Sequence, residues 1–502
     1  MDILLSLCDP GLLALIVFGC VVGIVLGAIP GMNGGIGISL LLPFTFTMRP
    51  AEALLMLGGI YMGGSYGGSI SAILLNVPGT AEAYCTSLEG YPMARKNQGK
   101  LALYLAALSS VLGGLVGVIA LIWFSPMLAR AALQFGPPEI LLIGLVGLSV
   151  VGSLTGKNVW KGIFSVAFGL FLGMIGPDTV SGDNRLLYGS DSMIMGIELV
   201  AVILGFFAIS EMLGQLLNIR RKGTSKIGEG ESNIDSLGQE TVFDTVKIIV
   251  KNKWLLIKAS LLGTFIGVLP GPGGAISAFV AYGEAKRTNK GEEFGVGNPR
   301  GIVAAESANN AAVGGSLVPM LALGIPGSPT AAIMYGALII HGLVAGPRLF
   351  TDHADFAYTF IYGMLLTIVI MGLVGVCCVP LFSKILKVDM RHIIPVVILC
   401  SLIGAFSMRN SMFDVYAALV FGIIGCIFNR FGIPSSPVVL GLILGKLVES
   451  NFRLSVTIAS ATDQNVIMYI VSRPLCVVIL VIGFFLIYAN FKTMVLESRA
   501  KD

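Results

Sequence analysis

The chain has 502 residues, of which 55% are hydrophobic and 12% charged, and its mean hydropathy is +0.89. Soluble domains carry about 25% charged residues, so this balance excludes a soluble globular enzyme and predicts an integral membrane protein. The net charge of +4 is modest, and no compact basic and aromatic patch points to nucleic acid.

Apolar runs recur at 11–26, 101–124, 141–151, 194–207, 360–378 and 477–488. With the weaker segments extended by small residues, they predict an all-α polytopic protein of roughly ten to twelve transmembrane helices. The first run could be taken for a secretory signal, but Asp2 and Asp9 replace the usual basic start, so it is expected to be retained. Directly after it, "GAIPGMNGG" (27–35) places four glycines, a proline and an asparagine where a helix should continue. Each of these weakens or breaks a helix.

A second interruption follows in "GGSISAILLNVPGT" (67–80). Lysine and arginine then mark the cytoplasmic side: Arg95, Lys96 and Lys100 in one loop, Lys157 and Lys161 in another, and a run from Arg220 to Lys253. Between the last two, "GPDTVSGDNRLLYGSD" is net acidic and fits the opposite face. The charged stretch 217–253 reads as a solvated linker between a first membrane repeat, 1–216, and a second, 254–502.

The second half repeats the wording of the first. "LGAIPGMNGGI" (26–36) aligns without gaps to "IGVLPGPGGAI" (266–276), and the 67–80 segment matches "GGSLVPMLALGIPGS" (314–328). Two different elements in the same order on either side of the linker indicate duplication. If each first element enters and leaves on its own side, five crossings precede the linker and the two halves have inverted topology. Breaks of this kind are tolerable in lipid only where protein or a watery cavity satisfies the backbone. They expose helix amino termini, which suit a carboxylate, and free carbonyls, which suit a small cation. A proline kink that only shapes packing is the plainer reading of any single break. Matched pairs favour a site.

"AAESANNAAVGGS" places Glu306, Asn309 and Asn310 at i, i+3 and i+4 in an otherwise apolar run. A carboxylate at membrane depth costs about 2.5–3.5 kcal/mol and is a functional candidate. Cation ligation, proton carriage and an interhelical hydrogen bond all stay open for it. Glu198, Glu211, Asp414 and Arg473 lie near span ends, where snorkelling explains them. Thr80 and Ser328, each directly after a Pro-Gly break, can donate to an anion. The eight cysteines and three histidines, His341, His353 and His392, show no metal-ligand spacing. There is no phosphate-binding loop and no hydrolase motif, which leaves secondary transport, with no cofactor beyond a coupling ion, and a passive anion channel as the alternative.

These motifs, with "LEGYPMARK" and "GIPGSPTAA", resemble the large membrane subunit of the tripartite tricarboxylate transporters along nearly the whole chain. The resemblance implies a multi-pass permease of the bacterial inner membrane that works with a small four-span membrane subunit and a periplasmic binding protein. It implies import of citrate or another carboxylate coupled to Na+ or H+. Carried over by residue, Pro30, Gly31, Asn33 and Gly34 would form one substrate loop and Pro270, Gly271, Gly273 and Gly274 its mate. Pro78, Gly79 and Thr80 with Pro326, Gly327 and Ser328 would form the second pair, Asn309 and Asn310 the adjoining polar face, and Glu306 the cation-coupling carboxylate. The sequence departs from the family pattern at Ala305, where a proline often precedes the glutamate, and at Ala81, where one often follows Pro-Gly-Thr.

Overall fold

The computed structural model describes residues 7–29, 32–154, 159–178, 183–187, 189–222, 238–269, 273–289, 291–385, 390–461, 463–481 and 483–484. It is helical almost throughout; the one strand pair among these residues is Gly176–Pro177 with Asn184–Arg185. By length and apolar composition, five helices could each cross a membrane: Pro10–Ala28, Gly99–Ala132, Leu199–Leu217, Ala354–Cys377 and Met412–Phe431. Five shorter apolar helices accompany them. The contacts divide the chain into two compact units, 1–127 with 211–404 and 128–210 with 405–502. Each draws on both halves of the sequence.

The helices of the first unit that matter here are α1 (Pro10–Ala28), α2 (Gly34–Leu41), α3 (Pro50–Leu75), α4 (Tyr84–Arg95), α5 (Gly99–Ala132), α6 (Lys253–Val268), α7 (Gly273–Thr288), α8 (Pro299–Leu323), α9 (Pro329–Ile340) and α10 (Ala354–Cys377). Proline begins α1, α3, α8 and α9, where its missing N–H would have no helical partner. Left-handed residues end α3 and α8, namely Asn76 (φ 54°) and Gly324 (φ 73°).

α3 and α8 form the centre. Every residue from 53 to 74 and from 301 to 322 is buried, and these two stretches correspond residue for residue when Thr80 is set on Ser328 and Gly67 on Gly315. Their neighbours are packed in one common register. On α1, Gly23 and Gly27 lie on the carbonyls of Ile60 and Gly64; on α6, Gly263 and Gly267 lie on those of Ala308 and Ala312. In return Gly67 lies on the carbonyl of Ile24 and Gly315 on that of Thr264. A Cβ at any of these six glycines would collide with backbone, so the helices approach as closely as peptide groups allow.

Because numbering rises together on both sides of these contacts, α1 runs parallel to α3 and α6 to α8. The chain must therefore turn back between the members of each pair, along the stretches that hold α2 and α7. α5 likewise runs parallel to α8, with Gly113 on Ser307 and Gly117 on Ala311, and α10 runs parallel to α3, with Gly363 against Leu55 and Gly375 against Tyr66. Gly114 faces Ile368 while Gly372 faces Val111, so α5 and α10 run in opposite directions. Large apolar side chains stay exposed on the outer helices, among them Phe18, Ile119, Trp123 and Leu373. They suit contact with lipid.

In the second unit, Gly169 and Gly441 bring Val159–Gly173 against Ser436–Ala461, and Phe164, Phe168, Phe206, Phe421 and Phe428 form an aromatic cluster. Its ionisable groups do more than snorkel. Glu198 pairs with Arg409, and Arg473 reaches the fully buried Glu139 at 2.5 Å. Asp414 is buried with neither carboxylate oxygen hydrogen-bonded. Within the linker, Val242–Lys251 is a helix whose start is capped reciprocally by Thr241 and Asp244, and those hydrogen bonds hold the Asp244 carboxyl below its ordinary range. Of the linker, residues 223–237 lie outside the described residues.

Gly27→Ala and Gly267→Ala are each expected to destabilise the detergent-purified protein by about 1–3 kcal/mol, as overpacking does, read as a lower midpoint of thermal unfolding. Gly214→Ala, at a position with open space around it, should leave the midpoint unmoved.

Candidate functional site

Of the first pair of turns, Pro30 and Gly31 and their mates Pro270 and Gly271 lie outside the described residues. The residues that follow them are well placed for a site. Asn33 caps α2, its side-chain oxygen accepting from the Ile36 N–H at 3.0 Å, and Gly34 abuts Gly64 of α3. Gly273 adopts φ +59°, with Ser328 beside it where a side chain would project. Gly274 faces Asn309 and Glu82.

The second pair of turns repeats the register seen in the helices. Gly79 presses on the carbonyl of Gly27 and Gly327 on that of Gly267. The Gly79 N–H donates to Gly68 O at 3.1 Å and the Gly327 N–H to Ser316 O at 3.2 Å. These two amides are therefore engaged in holding the turn. The hydroxyl that follows each is free to face elsewhere. Pro326 is buried and Pro78 half-buried, and both serve the turn.

The two sets meet across the halves. Ser328 caps α9 by accepting from the Ala331 N–H at 3.0 Å, and the start of α9 meets the start of α2, with Gly35 against Thr330 and Ile333. Two helix amino termini thus converge, each worth roughly half a positive charge. In α2 the Gly34 and Gly35 N–H groups, and in α9 that of Thr330, have no acceptor within their own helices. Beside them the Tyr61 hydroxyl lies 2.5 Å from Ser328 Oγ and 3.0 Å from Ser316 Oγ. That cluster is neutral and closed. Thr80 and Ser328 are both buried, but only Ser328 is satisfied; Thr80 Oγ1 has no hydrogen-bond partner.

The face 306, 309, 310 splits in two. Glu306 and Asn310 turn toward α5: Thr86 Oγ1 and Ser110 Oγ donate to the Glu306 carboxylate, the latter at 3.0 Å, and Asn310 Nδ2 donates to Ser110 Oγ at 2.8 Å. Asn309 turns toward α3, donating to the Ser65 carbonyl at 3.1 Å. As Tyr61 meets Ser316 while Ser65 meets Asn309, α3 and α8 run in opposite directions where they touch. Glu306 is fully buried. Among the described residues its hydrogen-bond donors are the neutral hydroxyls of Thr86 and Ser110.

Two carboxylates escape a reading of the sequence alone. Glu89 of α4 is fully buried and accepts from the backbone N–H groups of Gly295, Gly297 and Asn298 and from the Tyr282 hydroxyl, at 2.5 to 2.9 Å. It pins the segment before α8 to α4. Its partners lie some two hundred positions away, so nothing local announces the role. The other is Glu82, just after the Thr80 turn. Removing the Glu89 acceptor leaves three backbone donors unpaired at about 1–3 kcal/mol each where buried. Glu89→Ala is expected to speed amide exchange across 291–298 and lower the unfolding midpoint; unchanged exchange there would mean that Lys96, which bonds Val296 O at 2.8 Å, holds the segment.

Helix starts that meet around buried polar side chains fit a polytopic membrane transporter. The chain belongs to the tripartite tricarboxylate transporter TctA family, whose profile matches residues 13–440. It is thus a membrane transporter subunit of a tripartite system. A 52.8 kDa protein of Agrobacterium vitis, described as uncharacterized and from the TAR-I ttuC' 3' region, is 34% identical over 480 residues, 92% of this chain and 91% of that one. A second protein of that organism, from the TAR-II ttuC' 3' region, is 35% identical over 222 residues, 44% of this chain and 90% of its own. No solved structure matches the chain.

Proposed function

We propose that this subunit carries citrate or a similar di- or tricarboxylate inward across the bacterial inner membrane, driven by a Na+ or H+ gradient. A periplasmic binding protein delivers the substrate, and a small four-span membrane subunit completes the permease. The reading rests chiefly on the convergence of α2 and α9. Two positive helix ends so close repel one another unless an anion lies between them, and a carboxylate can accept from the Gly34, Gly35 and Thr330 amides together. The matched packing of α1 with α3 and α6 with α8, and the opposed directions of α3 and α8, support inverted repeats that move past one another to alternate access. Glu306, buried among neutral donors, is the carboxylate we assign to the coupling cation.

Counterflow in liposomes tests the carrier reading. A carrier exchanges external labelled carboxylate for trapped unlabelled carboxylate and saturates; an open anion pore, the rival reading, shows no such stimulated exchange. The Ser328 proton is held only at 3.5 Å from Ser316 Oγ and can turn to a carboxylate; losing a hydrogen bond to a charged group costs about 1.5–3 kcal/mol, so Ser328→Ala is expected to raise the half-saturating carboxylate concentration roughly ten- to a hundredfold while folded protein is retained. Normal uptake would remove Ser328 from the site. Glu306→Gln should change the dependence of uptake on the driving cation, and an unaltered dependence would assign Glu306 to packing alone.

A further inference from the structure

The packing pairs Gly67 with Gly315 and Gly79 with Gly327, and that register makes Tyr61 the counterpart of Asn309, Ser316 of Gly68, Ser328 of Thr80 and Thr330 of Glu82. The repeat therefore builds the same corner twice, from the tip of one half and the second turn of the other. In one copy the corner is the neutral cluster of Tyr61, Ser316 and Ser328, its hydroxyls bonded to one another.

In the other copy Thr80 keeps a hydroxyl, and the changes at the remaining three positions each remove a donor or add an acceptor. Asn309 replaces the long phenol with a shorter amide, and because its Nδ2 is spent on the Ser65 carbonyl, the end left over is the carbonyl oxygen. Gly68 supplies no hydroxyl where Ser316 does, and a Cβ there would collide with the Thr80 side chain. Glu82 brings a carboxylate where the first copy has threonine. Asn309 Oδ1, 1% exposed by residue, and Thr80 Oγ1, 6% exposed by residue, are both buried without a hydrogen-bond partner among the described residues. A Cβ on Gly274 would run into Asn309 Oδ1 and lie 2.9 Å from Glu82 Cγ, so both side chains crowd the same small space at the start of α7. Glu82 has no hydrogen-bond or ion-pair partner among the described residues.

We propose that Glu82, Asn309 Oδ1 and Thr80 Oγ1 bind a sodium ion, at a site separate from Glu306. The two buried unpaired acceptors are costly, and together with the half-buried Glu82 carboxylate they make three oxygens of three kinds, which answer to a hard cation rather than to a proton, which needs only one acceptor. One carboxylate balances one positive charge, which favours a monovalent ion. The site gives the carboxylate-carrier reading, on which its purpose rests, a reason for coupling. Without the ion, Glu82 repels an incoming carboxylate; with it, Glu82 is neutralised and the space becomes attractive to the anion.

The test measures the ion in the absence of any carboxylate, so that it stands or falls apart from transport. Purified protein is titrated with NaCl against choline chloride at constant ionic strength, reading the thermal midpoint and bound radiosodium. Sodium is expected to raise the midpoint where potassium does not. Glu82→Gln and Thr80→Val should weaken sodium binding by at least the roughly tenfold that even a change beside the ligands costs a metal site. Thr80→Ser should restore it, and Tyr61→Phe, in the closed copy, should leave it unchanged. In liposomes, high sodium should rescue uptake by Thr80→Ala but not by Ser328→Ala. Equal sodium affinity in wild type, Glu82→Gln and Thr80→Val would overturn the proposal, with Glu82 then only complementing the α7 dipole. Loss of binding in Glu306→Gln with retention in Glu82→Gln would also overturn it, by placing the ion at Glu306. Sodium binding as expected with no carboxylate counterflow would uphold the ion site and defeat the carrier reading instead.

Discussion

The first unit depends on one contact repeated: a glycine Cα laid against the carbonyl of a neighbouring helix. Between α1 and α3, and again between α6 and α8, these contacts bring backbones together without intervening side chains. Hydrocarbon offers helices no hydrophobic reason to associate, so close shape and many small dispersion gains must hold them. The same contacts fix the register, and the register positions everything else. Gly79 and Gly327 rest on the last carbonyls of that seam, Gly27 and Gly267, so the Pro-Gly turns are extensions of the packing rather than loose loops.

From that constraint follows the division between a neutral corner and a charged one. Duplication supplies two equivalent frames, each with a helix start, a turn and a side chain from the opposite half. Within one frame the hydroxyls satisfy each other. Within the other, Asn309 Oδ1 and Thr80 Oγ1 lie unpaired among the described residues, beside the Glu82 carboxylate. Equal backbones with unequal side chains are what a coupled carrier requires, since an anion and a cation need opposite chemistry held at a common pivot.

Much of this was legible in the residues. Gly27 with Gly267, and the two Pro-Gly turns with their hydroxyl residues, announce the repeat and the interruptions, because glycine and proline act on the backbone locally. Glu306 stands out for the same local reason, a charge in an apolar run. What stayed hidden depends on partners far along the chain. Glu89 looks like an ordinary acid on a short helix until the backbone amides of 295–298 are folded onto it, and Glu139 until Arg473 arrives. Asp414 and Glu198 sit near span ends, where the sequence alone suggests snorkelling, yet one is buried without a partner and the other is bound to Arg409. The assignment of Asn309 and Asn310 to one polar face missed that residues one apart on a helix point to different neighbours, here α3 and α5.

The composition of α3 and α8 also governs how the protein is made. Both are long enough to cross a bilayer but are shielded by protein along the buried stretch, and they carry glycine, serine, asparagine and a carboxylate where lipid would demand leucine. Neither is among the helices apolar enough to cross alone. Each must enter the membrane in company, α3 beside α1 and α8 beside α6 and α5, because a polar helix released singly into hydrocarbon has nothing to satisfy it. Biogenesis of the subunit is therefore a matter of delivering small bundles rather than single segments, and the amino-terminal partner in each bundle acts as an internal escort for the one that follows.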